Sequence, residues 1–255
     1  MLALMMNVAL ITENSAQHDQ AAELAHRLNL PLISAPAADY SAYLIVSNQA
    51  LKLQLADSRM RAISVDFLSG ALSHRCQYGG GKSQLIAKAI GLKNKKALHV
   101  WDLTAGLARD AYVLAHLGCS VTLVERSPII AALLRDGLMR AELAGNATVK
   151  KLHLIEQDAS QFLQTTTEKP EVIYLDPMFT DLDNSALVKK EMRILRKLVG
   201  DDLDASSLLE QALNFNCKRV VVKRARLAPT LNETKPSYQL MGKSTRFDIY
   251  IGSST

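Results

Sequence analysis

Acidic side chains at the ends of successive apolar runs could bind the parts of a nucleoside. Asp102 precedes a short turn through Gly106, and Glu125 lies nineteen positions after Gly106 at the end of the next run. A carboxylate about twenty positions after such a turn is where dinucleotide-binding folds hold a ribose diol. Asp158, after a third run, can accept a hydrogen bond from an exocyclic amine or cap the helix that follows it. The spacing predicts a cofactor that carries a nucleoside.

The residues after Asp102 predict a turn that a ligand can approach closely. Thr104, Ala105 and Gly106 are small, and a predicted helix over 107–117 begins directly beyond them. Small residues let the backbone come near a ligand, and the unpaired N–H groups of a helix start attract a carboxylate or phosphate.

A fourth apolar run, 171–175, leads into Asp176-Pro177-Met178-Phe179. Continuous apolar runs are typical of buried strands in parallel sheets. A carboxylate at the end of such a strand can accept hydrogen bonds from an amine, and Phe179 can stack on a base turned out of its helix. The alternative is that Asp-Pro only ends the strand and Phe179 packs in the core, and spacing leaves both interpretations open.

The tripeptide Gly81-Lys82-Ser83 lacks the spacing of a phosphate-binding P-loop. The first glycine of such a loop would fall on Cys76, and no buried strand directly precedes it. We interpret these residues as a glycine hinge before a helix over 82–90. His74, Arg75 and Lys82 could still face a ligand or RNA phosphates, or they could be ordinary solvated charges.

Strands and helices that alternate from residue 97 to 223 must position these side chains. Such alternation predicts an α/β fold with a doubly wound, mostly parallel sheet that binds ligands at the carboxyl ends of its strands. A strand over 8–12, a helix over 16–28 and short apolar runs precede it. We therefore predict a small N-terminal α/β domain over 1–70, with a structural or substrate-docking role, and a larger domain over 71–255. The larger domain's predicted strands cover 120–124, 152–155, 171–175, 218–224 and 246–251, and its helices 129–143, 185–198 and 205–213.

Composition limits the class of protein. A hydrophobic content of 48% is enough for a full core and argues against disorder. The net charge of +5 favours a polyanionic partner without requiring one. Three widely spaced cysteines indicate neither a zinc site nor a disulfide framework and fit a reducing cytoplasm. The apolar start is shorter than the ~20 residues that span a bilayer, so we expect a cytoplasmic protein with no metal and no membrane partner.

These motifs together resemble the class I S-adenosylmethionine-dependent methyltransferases, and in particular the bacterial 16S ribosomal RNA guanine-N2 methyltransferase family. Two departures from the family pattern are Ala108, where a glycine is usual and where alanine resists positive φ, and Thr180, where a proline is usual. The resemblance is carried by 66–91, Thr104-Ala105-Gly106 with Arg109-Asp110, Glu125-Arg126, 174–179, 185–191, 218–224 and 246–250.

The resemblance implies a Rossmann-like fold, S-adenosyl-L-methionine as cofactor, and methyl transfer to N2 of a guanine near the 3′ end of 16S ribosomal RNA, either naked or in the small ribosomal subunit. Arg109 is expected to pair with the cofactor's carboxylate and Asp110 with its ammonium group. The implied catalytic residues are Asp176, Pro177 and Phe179. The implied cofactor-binding residues are Asp102, Gly106, Arg109, Asp110, Glu125, Arg126, Asp158, Ala159 and Asp176.

Two other functions fit the same residues. Asp-Pro-x-Phe also suits methylation of another planar amine, such as DNA adenine or a protein glutamine, and the fold also suits a non-catalytic nucleotide- or RNA-binding accessory protein. Basic residues could form a face for RNA, against the alternative of dispersed solvated charge. These basic residues are Lys82, Lys189, Lys190, Lys218, Lys223, Arg224 and Arg226.

Overall fold

The structure is a computed structural model that describes residues 6–56, 61–68, 72, 75–76, 81–92, 97–177, 198 and 204–252.

Apolar runs near the start of the chain form a three-stranded sheet of their own. Strands β1 (Val8–Thr12), β2 (Ala42–Val46) and β3 (Leu51–Leu55) lie in that order, with β1 parallel and β3 antiparallel to β2. Helix α1 (His18–Leu28) follows β1. The strand and helix predicted here are confirmed.

The second sheet contains the strands that end in the acidic residues. Its strands are β4 (His99–Asp102), β5 (Ser120–Glu125), β6 (Leu152–Glu156), β7 (Val172–Leu175), β8 (Arg219–Ala225), β9 (Tyr238–Met241) and β10 (Thr245–Ile251). The order is β6-β5-β4-β7-β8-β10-β9, and β10 runs antiparallel to both of its neighbours, whereas the pairs from β6 to β8 are parallel. The chain moves outward from β4 to β6 and then returns to β7 on the other side of β4. Parallel sheets bind ligands at the carboxyl ends beside such a switch.

Helices connect these strands and confirm most of the predicted alternation. Ser127 accepts a hydrogen bond from Ile130 N at 3.4 Å and Pro128 takes the first helical position, where its missing N–H costs nothing. The predicted helix over 82–90 is shorter, because a 3-10 turn over 81–83 precedes it. Apart from Leu198, the predicted helix over 185–198 lies outside the described residues. The helices are α2 (Leu85–Ala89), α3 (Arg109–His116), α4 (Pro128–Leu143), α5 (Ala159–Thr165) and α6 (Ala205–Asn214).

Helix α4 packs against the small sheet, so one hydrophobic cluster contains residues of both sheets. Leu51 N donates to Asp136 Oδ2 at 3.1 Å. A Cβ at Gly137 would lie 2.6 Å from Val65 Cγ1, so only glycine permits this close approach. The division of the chain at residue 70 stays a prediction.

Strand β9 is absent from the predicted elements. Its four residues are mostly exposed and show no apolar alternation, and it lies at the edge of the sheet, where it pairs with β10. Tertiary pairing therefore determines it. Within the described part of the chain, no helix is long and apolar enough to cross a membrane.

Candidate active site

The turn after β4 places two residues in the left-handed backbone region. Gly106 has φ +51° and Ala108 has φ +54°. Glycine adopts this conformation freely, whereas for alanine it costs about 1–2 kcal/mol. The expected resistance of Ala108 to positive φ is overcome, and its N–H donates to Ala105 O at 2.8 Å. Helix α3 therefore begins at Arg109, two residues later than predicted.

Glu125, at the end of β5, is buried, and backbone N–H groups bind both of its carboxylate oxygens. Oε2 accepts from Gly106 N at 2.9 Å, and Oε1 accepts from Ser127 N at 2.8 Å. The carboxylate thus joins the glycine turn to the start of α4, which fixes the direction of its other lone pairs. Such lone pairs suit a ribose diol. The ribose role of Glu125 stays a prediction, now with a defined geometry.

A threonine hydroxyl links the acidic residues that follow β7 and end β4. Thr104 Oγ1 accepts from Asp176 N at 2.6 Å and donates to Asp102 Oδ1 at 3.4 Å. Asp102 is only 2% exposed. Burial raises the pKa of Asp102 to about 8, and the nearby Asp176 and Asp110 carboxylates contribute to the increase. A cation bound at this edge would favour the ionised form of Asp102.

Lys223, near the end of β8, joins two carboxylates from different elements. Its Nζ lies 2.8 Å from Asp110 Oδ2 and 2.7 Å from Asp176 Oδ2. Asp110 also accepts from the Tyr174 hydroxyl at 2.7 Å and from Arg75 Nη2 at 2.6 Å. We call these five residues the Lys223 cluster.

The charges of the Lys223 cluster are set by mutual contact. Burial alone would raise the pKa of Asp110, but Lys223 and Arg75 outweigh it and hold that pKa well below its ordinary value. Burial alone would lower the pKa of Lys223, but Asp176 and Asp110 raise it above its ordinary value. Burial, and then Asp110, raise the pKa of Tyr174. At neutral pH the cluster therefore contains an ionised Asp110, a protonated Lys223 and a neutral Tyr174.

Asp176 is the carboxylate of the cluster that faces outward. Its side chain is 39% exposed, against 9% for that of Asp110. Among the described residues, its contacts fall on Oδ2 and on the backbone N, so Oδ1 can accept from a further donor. Pro177 is buried directly after it. Phe179 lies outside the described residues, so its stacking role stays a prediction.

The remaining predicted cofactor residues differ in their surroundings. Asp158 caps α5 by accepting from two backbone N–H groups at 2.9 and 3.2 Å, which confirms the capping interpretation. Ala159 is buried at the first position of that helix. Arg126 Nη1 lies 2.8 Å from Asp204 Oδ2, ahead of α6. Arg109 is exposed at the first position of α3. The cofactor roles of all four stay predictions.

Two of the residues predicted as candidates for a basic RNA-binding face instead make contacts within the protein. Lys223 binds two carboxylates, and Arg224 is 5% exposed with its guanidinium on Pro229 O. Lys223 and Arg224 both belong to β8, whose successive side chains point to opposite, covered faces of the sheet. Adjacent charged residues in this strand therefore do not form one exposed surface. Lys189 and Lys190 lie outside the described residues. The exposed basic residues that remain are Lys82, Lys218 and Arg226.

The sequence analysis missed Lys223, Tyr174 and Thr104 as site residues. Lys223 had a usable signal, because it follows three valines near the carboxyl end of a buried parallel strand, where ligand-binding residues lie. Arg75 was considered only as a ligand-facing or solvated charge, whereas it pairs with Asp110. Its partner is 35 positions away, and no local pattern reveals such a pairing.

The chemistry of this edge fits a cofactor with positive charge and a diol. Hydrogen bonds through Gly106 and Thr104 bring Asp102, Glu125 and Asp176 to one edge. Among the described residues, a Cβ at Gly106 would have only Thr104 O within 4 Å, at 3.8 Å, so the described part of the chain leaves space beside the turn. S-adenosylmethionine carries a sulfonium, an ammonium group and a ribose diol, and carboxylates bind all three.

Comparisons with known proteins agree with this chemistry. A family model described as "Putative SAM-dependent methyltransferase" matches residues 23–252. A ribosomal RNA small subunit methyltransferase J from Ectopseudomonas mendocina is 50% identical over 236 residues, covering 91% of this chain and 89% of its own. One from Coxiella burnetii is 47% identical over 245 residues, covering 96% of each chain. The crystal structure of a SAM-dependent methyltransferase from Neisseria gonorrhoeae matches with a TM-score of 0.74 and 36% identity, covering 97% of each chain.

The fold and the site define a class I S-adenosylmethionine-dependent methyltransferase. The predicted Rossmann-like fold and the predicted cofactor, S-adenosyl-L-methionine, are confirmed. The chain belongs to the ribosomal RNA small subunit methyltransferase J family.

Proposed function

We propose that this enzyme transfers the methyl group of S-adenosylmethionine to the exocyclic N2 of a guanine near the 3′ end of 16S ribosomal RNA. The observation that carries the proposal is Asp176, an outward-facing carboxylate held at the end of β7 by Lys223 and Thr104. The names of the relatives support ribosomal RNA as substrate. A ribosomal substrate also agrees with the cytoplasmic location expected from the cysteines.

Asp176 orients the amine in this proposal. A guanine N2 lone pair is delocalised into the ring, so the site must hold the N2–H groups while the nitrogen meets the methyl carbon. Asp176 Oδ1 accepts one N2–H, because Lys223 already engages Oδ2. As the new C–N bond forms, N2 loses a proton, which Asp176 accepts or passes to water. Pro177 fixes the backbone, and Phe179 stacks on the guanine after it leaves its helix.

The carboxylates of β4 and β5 hold the cofactor in this proposal. When bound, S-adenosylmethionine supplies a methyl group on a sulfonium that becomes a neutral thioether on transfer. Glu125 accepts from the ribose hydroxyls, and Asp102 offers negative charge at the end of β4. Asp158 accepts from the adenine amine, and Arg109 pairs with the carboxylate of the methionine part. Asp110 binds three side chains already, so its main role is to hold Lys223.

The test is methyl incorporation from labelled S-adenosylmethionine. The substrates are 16S ribosomal RNA and small subunits from cells that lack this gene, with genomic DNA and total protein in parallel. We expect label in the ribosomal RNA alone, and mass mapping of nuclease fragments should find N2-methylguanosine near the 3′ end. The same mapping shows whether naked RNA or the assembled subunit is the substrate.

Other outcomes would overturn the proposal in distinct ways. Label in DNA or protein would indicate a methyltransferase for another planar amine. Cofactor binding measured by calorimetry, with no label in any substrate, would indicate a non-catalytic accessory protein. Label in RNA at an atom other than guanine N2 would reject the role given to Asp176.

A further inference from the structure

A tight turn directly after β8 presents an apolar side chain at its tip. The hydrogen bond from Ala228 N to Ala225 O, 3.2 Å long, closes the turn. Leu227 lies at the tip and is 91% exposed. A single exposed leucine says little by itself, because isolated apolar side chains are common on protein surfaces. The unusual feature of this turn is how firmly its backbone is held.

One buried arginine binds three carbonyl groups of the turn. Arg246 Nη1 donates to the carbonyl oxygens of residues 225, 226 and 228. The Arg246 guanidinium is paired in turn with Asp248, with Nε to Oδ1 at 2.8 Å and Nη2 to Oδ2 at 3.1 Å. The side chains of Arg246 and Asp248 are 6% and 1% exposed.

A second buried arginine holds the next residue of the chain. Arg224 Nε and Nη2 donate to Pro229 O at 3.2 and 3.0 Å. We call Arg224, Arg246 and Asp248 the Arg246 cluster. Burying a guanidinium is costly unless its donors are bound, and here most of the described acceptors are carbonyls of one surface turn. The cluster therefore makes the backbone under Leu227 rigid, and a rigid contact loses little entropy when it binds.

The turn lies close to the carboxylate proposed to meet the guanine. Leu175 pairs with Val222 in the β7–β8 register, so the backbone of Asp176 lies next to that of Lys223, four residues before Leu227. Four residues of extended chain span at most about 14 Å. A nucleotide whose base reaches Asp176 thus has its neighbouring nucleotides within reach of Leu227.

Positive charge lies beside the apolar tip. Arg226 N donates to Ser244 O at 3.0 Å and Arg226 Nη1 donates to Gly242 O at 3.1 Å, which joins this turn to the one between β9 and β10. Arg226 and Lys243 are both exposed. Cations beside an apolar wedge suit a nucleic acid, since its phosphates and stacked bases present anionic and apolar surfaces together.

We propose that Leu227 inserts between the bases of folded RNA beside the target guanine. It fills the space that the guanine leaves when it turns out toward Asp176, while Arg226 and Lys243 contact the neighbouring phosphates. The inference rests on the proposed RNA methylation. It adds the protein surface that helps the target guanine to leave the folded RNA. It also assigns the buried Arg246 cluster, which the methyl transfer itself does not use, to holding the wedge.

The test compares Leu227→Ala with wild type on two forms of one RNA. One form is the folded 3′ domain of 16S ribosomal RNA, and the other is a short single-stranded fragment around the mapped guanine. We expect kcat/KM of Leu227→Ala to fall about tenfold or more on the folded RNA, and to change little on the fragment, whose bases need no extrusion. The Kd for S-adenosylmethionine and the Tm should match wild type. Leu227→Met should restore most of the activity.

Leu143→Ala is the matched control. Leu143 is 81% exposed and ends α4, which starts beyond the carboxyl end of β5 and runs back to the opposite edge of the sheet. Three results would overturn the wedge. Leu227→Ala and Leu143→Ala could have equal effects on folded RNA, or Leu227→Ala could lose the same activity on both RNA forms. The third result is a lowered Tm for Leu227→Ala. Failure of wild type to methylate either RNA, with no label in small subunits from cells that lack this gene, would instead reject the proposed function, and the wedge with it. If wild type labels the assembled subunit alone, the subunit replaces the folded RNA in the comparison of Leu227→Ala with Leu143→Ala, and an equal effect of the two substitutions there would overturn the wedge.

Discussion

Lys223 and Arg224 are adjacent on β8, yet their side chains enter two different charged clusters. The Lys223 cluster contains a carboxylate, Asp176, whose side chain is 39% exposed. The Arg246 cluster contains Asp248, whose side chain is 1% exposed, and its guanidinium groups bind backbone carbonyls of one turn. Alternation along a strand sends neighbouring side chains to opposite faces of a sheet, so one segment serves both clusters.

The two clusters differ in role: the Lys223 cluster offers a carboxylate to a substrate, whereas the Arg246 cluster holds the backbone of a turn. A closed set of charges can fix a backbone, but it has no atom to offer a substrate. A set that leaves one carboxylate outward has fixed partners on one side and an acceptor on the other, which is the arrangement expected of a preorganised site. Substitutions in the Arg246 cluster should therefore change stability, and those in the Lys223 cluster should change rates.

The largest effect is expected from Asp248→Asn, which removes the charge that pairs with Arg246. Breaking a buried ion pair by removing one partner costs about 3–5 kcal/mol. Urea unfolding should show a loss of that size in the free energy of unfolding. The control is Glu13→Gln, which breaks the more exposed pair with Lys52 and should cost less than about 1 kcal/mol. If Asp248→Asn and Glu13→Gln lowered the free energy of unfolding by equal amounts, the Arg246 cluster would have no special role in stability.

Lys223→Met should lower the maximal rate of methylation by about 100-fold. Burial raises the pKa of Asp176 above its ordinary value and the Lys223 ammonium opposes that rise, so loss of the ammonium raises the pH at which Asp176 ionises still further. The acid limb of the pH–rate profile should therefore move to higher pH, and Lys223→Arg should partly restore the wild-type profile. Lys150→Met, at an exposed site in the turn before β6, is the control. A profile that Lys223→Met leaves unmoved would contradict the positioning role.

Glu125→Ala should weaken cofactor binding by roughly 1.5–3 kcal/mol, the range for a hydrogen bond to a charged group. Calorimetry with S-adenosylmethionine measures this directly. Glu156→Ala is a matched control, because Glu156 pairs with Glu125 in the β5–β6 register but binds Arg135 at the surface. Unchanged affinity in Glu125→Ala would assign this carboxylate to the turn alone.

Cofactor affinity should rise with pH until about pH 8, the pKa of buried Asp102. Below that pH Asp102 is protonated in the free enzyme, and a cationic cofactor favours its ionised form, so binding releases a proton. Linkage limits the gain to about tenfold per pH unit. Calorimetry in buffers of different ionisation enthalpy should detect the proton, and Asp102→Asn should abolish the dependence. If the affinity of the wild-type enzyme for S-adenosylmethionine did not depend on pH, the charges of the cofactor would have to lie away from Asp102.

The sequence predicted the elements of the large sheet well where local pattern determines structure. Strands such as Ser120–Glu125 are short apolar runs with polar ends, and α4 carries its own start signal in Ser127-Pro128. β9 was not predictable, because its pairing with β10 determines it. Ala108 gave no signal either, since its left-handed conformation opposes its own preference.

The acidic residues of the site were predictable and their partners were not. Asp102, Glu125, Asp158 and Asp176 follow apolar runs, so the order of the chain identifies them. The Lys223 cluster joins residues from four separate segments, and only the folded sheet brings them together. The sequence analysis also offered Lys223 and Arg224 together as candidates for a basic face, against dispersed solvated charge, because a run of charge does not reveal which face of a strand each side chain takes.

The most direct test of Asp176 as the acceptor at the active site is single-turnover methylation of 16S ribosomal RNA by Asp176→Asn. Both S-adenosylmethionine and RNA are saturating, and calorimetry measures cofactor binding in the same preparation. We predict a rate lower by about 100-fold or more, with a much smaller change in cofactor Kd. A wild-type rate under these conditions would contradict the assignment and leave the end of β7 with a structural role only.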